Sequence, residues 1–233
     1  TGVQTCALPI FSWYLMYSNI SNISTQRIIE VREYLDFFSP SIPAPPITTP
    51  RHLNTCKGLV FIQLYGIIEF TITATLSRTI DLINVELIKL QETSPFIWSM
   101  ALNPQLDALI QTNRKKWDKR YELFQKVLNN DEVLIVNNII PTNGDNFNFP
   151  QLESIWKTFN ISEPIFNNVT FRGRLQEIVN NRINISHGNI TAADVGARVT
   201  PADLYDRVHD VSEYCSYFIS VFENYITSKA FRK

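Results

Sequence analysis

The stretch LNTCKGLVFIQLYGIIEFTITATLSRTIDLINVELIKL, Leu53 to Leu90, decides the fold. Phe61, Leu64, Ile68, Ile72, Leu76, Ile80, Ile83 and Leu87 recur at helical spacing. The flanking faces stay apolar as far as Leu76, so the helix is expected to be buried on most sides. Leu59 to Leu76 alone is long enough to be considered as a membrane span. Gln63 and Glu69 stand inside it, and a carboxylate at a bilayer centre costs about 2.5 to 3.5 kcal/mol on insertion scales. A central core helix is the better reading, and no membrane partner is expected.

On the N-terminal side, Thr25 to Phe38 carries Ile28, Ile29, Val31, Tyr34, Leu35 and Phe38 between Arg27, Glu30, Arg32 and Glu33, an amphipathic helix. Residues 39–50 (SPSIPAPPITTP) form an extended connector, because proline lacks a donor and fixes φ. On the C-terminal side, Gln105 to Leu128 is expected as one amphipathic helix, with Leu106, Leu109, Ile110, Trp117, Tyr121, Phe124 and Leu128 on its apolar side. Asp131 to Ile140 is an apolar run too short to separate strand from buried helix. Pro141 to Pro150 is a loop, Gln151 to Phe159 a short helix, and Phe171 to Ser186 a longer one closed by Gly188 at the C′ position. The last helix has Thr200 as N-cap, Pro201 at the first helical position and Asp203 in the first turn. Leu204, Val208, Val211, Cys215, Phe218, Phe222 and Tyr225 then form a stripe suited to packing on another helix, in this chain or a partner. The fold class is an all-α bundle.

Of 233 residues, 45% are hydrophobic and 18% charged, which allows a core and excludes wholesale disorder. A formal net charge of -1 gives no global pull toward nucleic acid, so such a partner must meet a local patch. Cys6, Cys56 and Cys215 have no metal-ligand spacing and suit a reducing cytoplasm. TGVQTCALPI, residues 1–10, reads as translated sequencing-adapter rather than evolved protein, leaving 11–233 as a single helical domain. The apolar run Cys6 to Tyr17 lacks the basic n-region and cleavage site of a signal peptide. The sequons at Asn19, Asn22, Asn160 and Asn184 follow from Asn- and Ile-rich composition.

Chemistry concentrates in Arg182-Ile183-Asn184-Ile185-Ser186-His187-Gly188. His52 has no polar constellation around it, and His209 sits between Asp206 and Asp210 on a polar face, as a solvated histidine would. Arg182 and His187 lie about 140° apart on an unbroken helix. They converge only if the helix ends near Ser186 or a second subunit completes the pocket. An imidazole titrating near about 6.5 can move the proton of a ribose 2′-OH or of a leaving 5′-oxygen. A guanidinium can stabilise charge developing on the phosphate. No acidic cluster for Mg²⁺ accompanies the segment, so no metal and no cofactor are expected. The spacing alone equally fits an ion-paired arginine and a histidine capping a helix C-terminus.

The segment QEIVNNRINISHGN resembles the R-x4-6-H signature of the HEPN superfamily. LYGIIEFTITATL resembles that superfamily's earlier core helix, STQRIIEVREYLDFF its first helix, and VGARVTPADLYDRV the start of the last helix of MAE-type HEPN proteins. The resemblance runs over nearly all of the chain after residue 11. It implies a helical bundle that dimerises around two R-x4-6-H segments and cuts RNA without metal. It also implies a toxin–antitoxin, abortive-infection or restriction-linked setting with a possible antitoxin or restriction partner. Arg182 and His187 match the catalytic pair, Gly188 the following glycine, and Glu69 a buried glutamate that orients Arg182. Ile183 departs from the family's polar residue at that position; Asn184 could substitute if the helix rotates locally, and Ser186 adds a hydroxyl. A non-catalytic HEPN module for dimerisation or binding is the alternative.

Arg114, Lys115, Lys116, Lys119 and Arg120, with Trp117 and Tyr121, make a candidate RNA-contact surface of positive charge and stacking rings. A solvated basic face with the two aromatics as core anchors is the ordinary alternative.

Overall fold

The computed structural model describes residues 17–112, 114–136, 140–141 and 146–233; residues 1–10 and residues 142–145 of the Pro141–Pro150 loop lie outside them. Helix α1 (Ser18–Phe38) begins seven residues earlier than the amphipathic repeat requires. Its Ile20, Ile28, Val31, Leu35 and Phe38 are buried. After a short 3-10 turn and the proline connector, α2 (Arg51–Val85) runs for 35 residues, about 52 Å. Hydroxyl pairs Tyr17–Thr79 at 2.7 Å and Ser24–Thr71 at 3.0 Å lock the α1 side onto α2. By length and composition α2 could cross a membrane. In this structure α1 and three later helices, α7, α8 and α9 (Phe171–Ser186, Ala192–Gly196 and Pro201–Thr227), pack against it, and Phe61, Leu64, Ile68, Ile72, Leu76, Ile80 and Ile83 are buried. Leu87 departs from the expected stripe. The helix stops at Val85, and Leu87 is exposed with φ 46° in the turn that follows.

A short turn, α3 (Trp98–Ala101), leads into α4 (Asn103–Gln111), which is followed by α5 (Lys116–Asn129). The single helix expected over Gln105–Leu128 is therefore broken between Thr112 and Lys115. Its expected apolar side is not a core face either: Ile110, Trp117, Tyr121, Phe124 and Leu128 are all exposed. After α5 the chain is extended rather than helical, alternating buried Val133 and Ile135 with exposed Leu134 and Val136. It is tied to the end of α2 by Val133 N–H to the Ile88 carbonyl and by Asn84, which accepts from Ile135 N–H at 2.9 Å. Among the described residues no named strand forms, only isolated bridges.

Helix α6 (Phe149–Phe159) is capped by the Asn148 side chain, which accepts from Gln151 N–H. Trp156 and Phe159 lean on the aromatic row of α9, and Phe171 at the start of α7 stacks on Tyr214 at 4.5 Å. Helix α9 matches its sequence signals throughout. Thr200 and Asp203 form a reciprocal capping box, Pro201 opens the helix, and the whole expected stripe is buried within this chain. Arg207, 6% exposed, grips Glu177 of α7 through two hydrogen bonds of 3.1 and 2.7 Å. That fixes the register of α7 against α9.

Candidate functional site

Helix α7 buries Phe171, Leu175 and Ile178, a stripe whose next member is Arg182. The arginine therefore follows the core-facing edge of α7 and lies against α2, half-buried. Its guanidinium sits over the buried Tyr65 ring at 4.8 Å, within cation–π range. Arg182 Nη1 donates to Asn146 Oδ1 at 2.9 Å, the one side-chain hydrogen bond it makes among the described residues. A guanidinium carries five N–H donors, so capacity for a phosphate remains.

Burial pushes the Tyr65 hydroxyl up to about 12, so it remains a phenol at neutral pH. It accepts from Phe147 N–H at 3.2 Å and donates to Glu69 Oε1 at 3.4 Å, a long contact. Here the structure corrects the sequence reading. Glu69 is exposed, not buried, and it reaches the tyrosine rather than the arginine. The physical reason is packing: α7 covers Tyr65 but leaves the turn of α2 that carries Glu69 open. Orientation of Arg182 falls to Tyr65 and Asn146 instead.

The helix ends at Ser186, and His187 is its C-cap with φ -89° and ψ 0°. Gly188 takes φ 72°, and the bonds Gly188 N–H to Ile185 O and Asn189 N–H to Asn184 O complete a Schellman closure. A residue with a Cβ is strained in that left-handed position, which is why glycine belongs there. The His187 side chain is exposed and makes no hydrogen bond among the described residues. Ser186 is exposed, and Asn184 is half-buried with its carbonyl used by the closure. Ile183 packs against the core, so a residue at this position turns inward rather than to a phosphate.

The segment after the closure is pinned tightly. A Cβ on Gly58 of α2 would meet the Ala192 carbonyl oxygen at 1.9 Å, and one on Gly196 of α8 would meet the Asn54 carbonyl at 1.9 Å. Lys57, buried, donates to the Val199 carbonyl at 2.8 Å, and burial lowers its pKa. The backbone that follows His187 is thus fastened to α2.

Elsewhere, a surface cleft of about 710 Å³ is lined by Thr170, Gly173, Arg174, Glu177, Asp206, His209 and Asp210. It has no share in the Arg182–His187 segment, and His209 is exposed there as expected of a solvated histidine. Among the described residues no group of three or more His, Cys, Asp or Glu side chains is placed to hold a metal. Arg114, Lys115, Lys116 and Arg120 are exposed on or beside α5, together with Trp117 and Tyr121, so the two rings are not core anchors. Arg120 stacks on Trp117 at 4.6 Å. Asn146 is the residue that sequence reasoning passed over. It lies in an Asn-rich loop with no periodicity, and only the fold brings it to Arg182.

A helical bundle built on a long core helix, with an arginine and a histidine flanking the end of a neighbouring helix, defines a HEPN-type module. The model of the MAE_28990-like HEPN family matches residues 16–231, and the chain belongs to that family. HEPN domains commonly dimerise and bind RNA. No curated protein and no solved structure matches the chain.

Proposed function

We propose that this protein is a metal-independent endoribonuclease that acts in the cytoplasm as part of a toxin–antitoxin or defence system. Two copies would face their Arg182–His187 segments across one cleft. The observation that carries the reading is the contrast between the two groups. Arg182 is held by Tyr65 and Asn146 with donors to spare, whereas the imidazole of His187 is exposed on a rigid helix closure.

In this mechanism a neutral His187 takes the ribose 2′-OH proton, and the 2′-oxygen attacks the adjacent phosphorus. The bond to the 5′-oxygen breaks, and that oxygen takes a proton from the imidazolium of the partner copy. Products are a 2′,3′-cyclic phosphate and a 5′-hydroxyl, with protons conserved. Arg182 stabilises the charge that grows on the non-bridging oxygens, a contribution of several kcal/mol in comparable sites, about 2.7 to 4 per donor. A basic contact by Arg114, Lys115, Lys116, Lys119 and Arg120 would add salt-dependent RNA affinity.

The inward-turned Ile183 favours a second reading, a non-catalytic HEPN module for dimerisation or RNA and protein binding. Expressing the chain alongside Arg182→Ala and His187→Ala separates the two. Growth arrest and RNA breakdown confined to the unsubstituted chain support the nuclease; identical behaviour of all three supports the binding module.

A further inference from the structure

We infer that the groove between α1 and α2 is a binding site for one nucleobase of a single-stranded RNA, a base that carries an exocyclic amino group. The groove has a volume of about 520 Å³, with Ile23, Val31 and Ile67 as its floor and Gln26, Arg27, Glu30 and Gln63 around its rim. Gly66 opens it, because a Cβ at that position would have nothing within 4 Å. Gln63 interrupts the apolar run of α2. Its amide and that of Gln26 are both exposed, and neither forms a hydrogen bond among the described residues.

The chemistry of the lining selects the ligand. Arg27 and Glu30 balance in charge, so the groove suits an uncharged group rather than a phosphate or a metal ion. A glutamine amide presents donor and acceptor side by side, the complement of a base edge, and pairs in this way with N6 and N7 of adenine. The Glu30 carboxylate adds an acceptor for an exocyclic amino group. The Arg27 guanidinium lies over the half-buried Phe70 ring at 3.9 Å. A base that stacks on its other face extends that pile, and the aliphatic floor takes the edge of the ring. Uracil, which has no amino group, fits this lining least.

The groove also lies beside Arg182. Glu69, Gly66 and Gln63 stand about 40°, 100° and 160° round α2 from Tyr65, along the arc that α1 and α7 leave open. Arg182, over Tyr65, is at one edge of this arc, and the groove is at the other. One helix width, about 10 Å, separates them. A strand whose phosphate meets Arg182 can therefore seat a neighbouring base in the groove. The base site stands on the groove's own chemistry, and only its use by a nuclease substrate rests on the function proposed above.

Fluorescence anisotropy of the full-length His187→Ala chain with labelled single-stranded oligoadenylate and oligouridylate, in EDTA, tests it. Oligoadenylate is expected to bind about tenfold more tightly. Gln26→Ala and Gln63→Ala should each bring the two affinities closer together. Gly66→Leu, whose Cβ meets nothing within 4 Å, should fill the groove and abolish the preference with no loss of helical spectrum or urea midpoint. Equal affinity for the two oligonucleotides, binding of neither, or a preference that survives Gly66→Leu overturns the proposal. Displacement of oligoadenylate by an equal concentration of adenosine 5′-monophosphate would make the occupant a free nucleotide and overturn the RNA assignment. A preference that Gly66→Leu abolishes, in a chain that cuts no RNA when His187 is intact, upholds the base site and sinks the nuclease reading alone.

Discussion

Replacing Gly58 by Ala sets two effects of opposite sign against each other. In an exposed helix interior the change stabilises by about 1 kcal/mol, because alanine is the better helix former. Here the new Cβ would stand 1.9 Å from the Ala192 carbonyl oxygen, about 1.5 Å short of an ordinary 3.4 Å contact. The obstacle is backbone, so α2 and the segment after His187 must separate. Overpacking of this kind costs about 1 to 3 kcal/mol, and the upper half of that range applies where no side chain can yield. The net expectation is a loss of about 1 to 2 kcal/mol, or roughly 2 to 8 °C in Tm for a chain of this size. Gly66, on the same helix with nothing within 4 Å of its would-be Cβ, is the control. Gly66→Ala should gain up to about 1 kcal/mol. Urea titrations followed by far-UV circular dichroism compare the two. If Gly58→Ala is as stable as Gly66→Ala, the close seating of α8 on α2 is wrong, and with it the fastening of the backbone that follows His187.

Four further outcomes follow from named contacts. Asn146→Ala removes the side-chain hydrogen bond that holds Arg182; on the proposed mechanism RNA cleavage should fall about tenfold, and the urea titration should show a loss of about 1.5 kcal/mol or less. Thr200→Ala should cost about 1 kcal/mol by opening the capping box. Asp203 in the same box is held below the usual carboxylate range, chiefly by hydrogen bonds from the Thr200 backbone and then its side chain. Its stabilisation is present above the ordinary aspartate pKa and fades as pH falls through the lowered folded value. Asp203→Asn should therefore be weaker than the parent chain near neutral pH, with the difference closing in acid urea melts. Glu177→Ala leaves the buried Arg207 guanidinium with only the Asp203 carbonyl at 2.6 Å, and should cost about 2 to 3 kcal/mol in the same titration.

Where local chemistry dictated structure, the sequence was legible. Thr200, Pro201 and Asp203 announce the start of α9, and Gly188 announces the end of α7, because caps act through their own backbone neighbours. The α2 stripe showed its core role through period alone. What failed depended on tertiary partners. Periodicity located the apolar face of α5, yet nothing in a single chain says whether another element covers it. Tyr65 and Glu69 share a helix face one turn apart, and only the seating of α7 decides which of them meets Arg182. The Asn146 contact crosses 36 residues from a loop without pattern. Ile183 was visible as a departure, but its inward turn needed the fold.

In the function proposed above, Arg182 and His187 cut RNA through its own 2′-hydroxyl. The most direct measurement incubates the full chain with an RNA it cleaves and with the same RNA carrying a single 2′-deoxy residue at the cut, both in EDTA. A 2′,3′-cyclic phosphate product, no cleavage at the deoxy position, and loss of cleavage in both Arg182→Ala and His187→Ala are expected. Cutting at the deoxy position, or undiminished cutting by either variant, would contradict it.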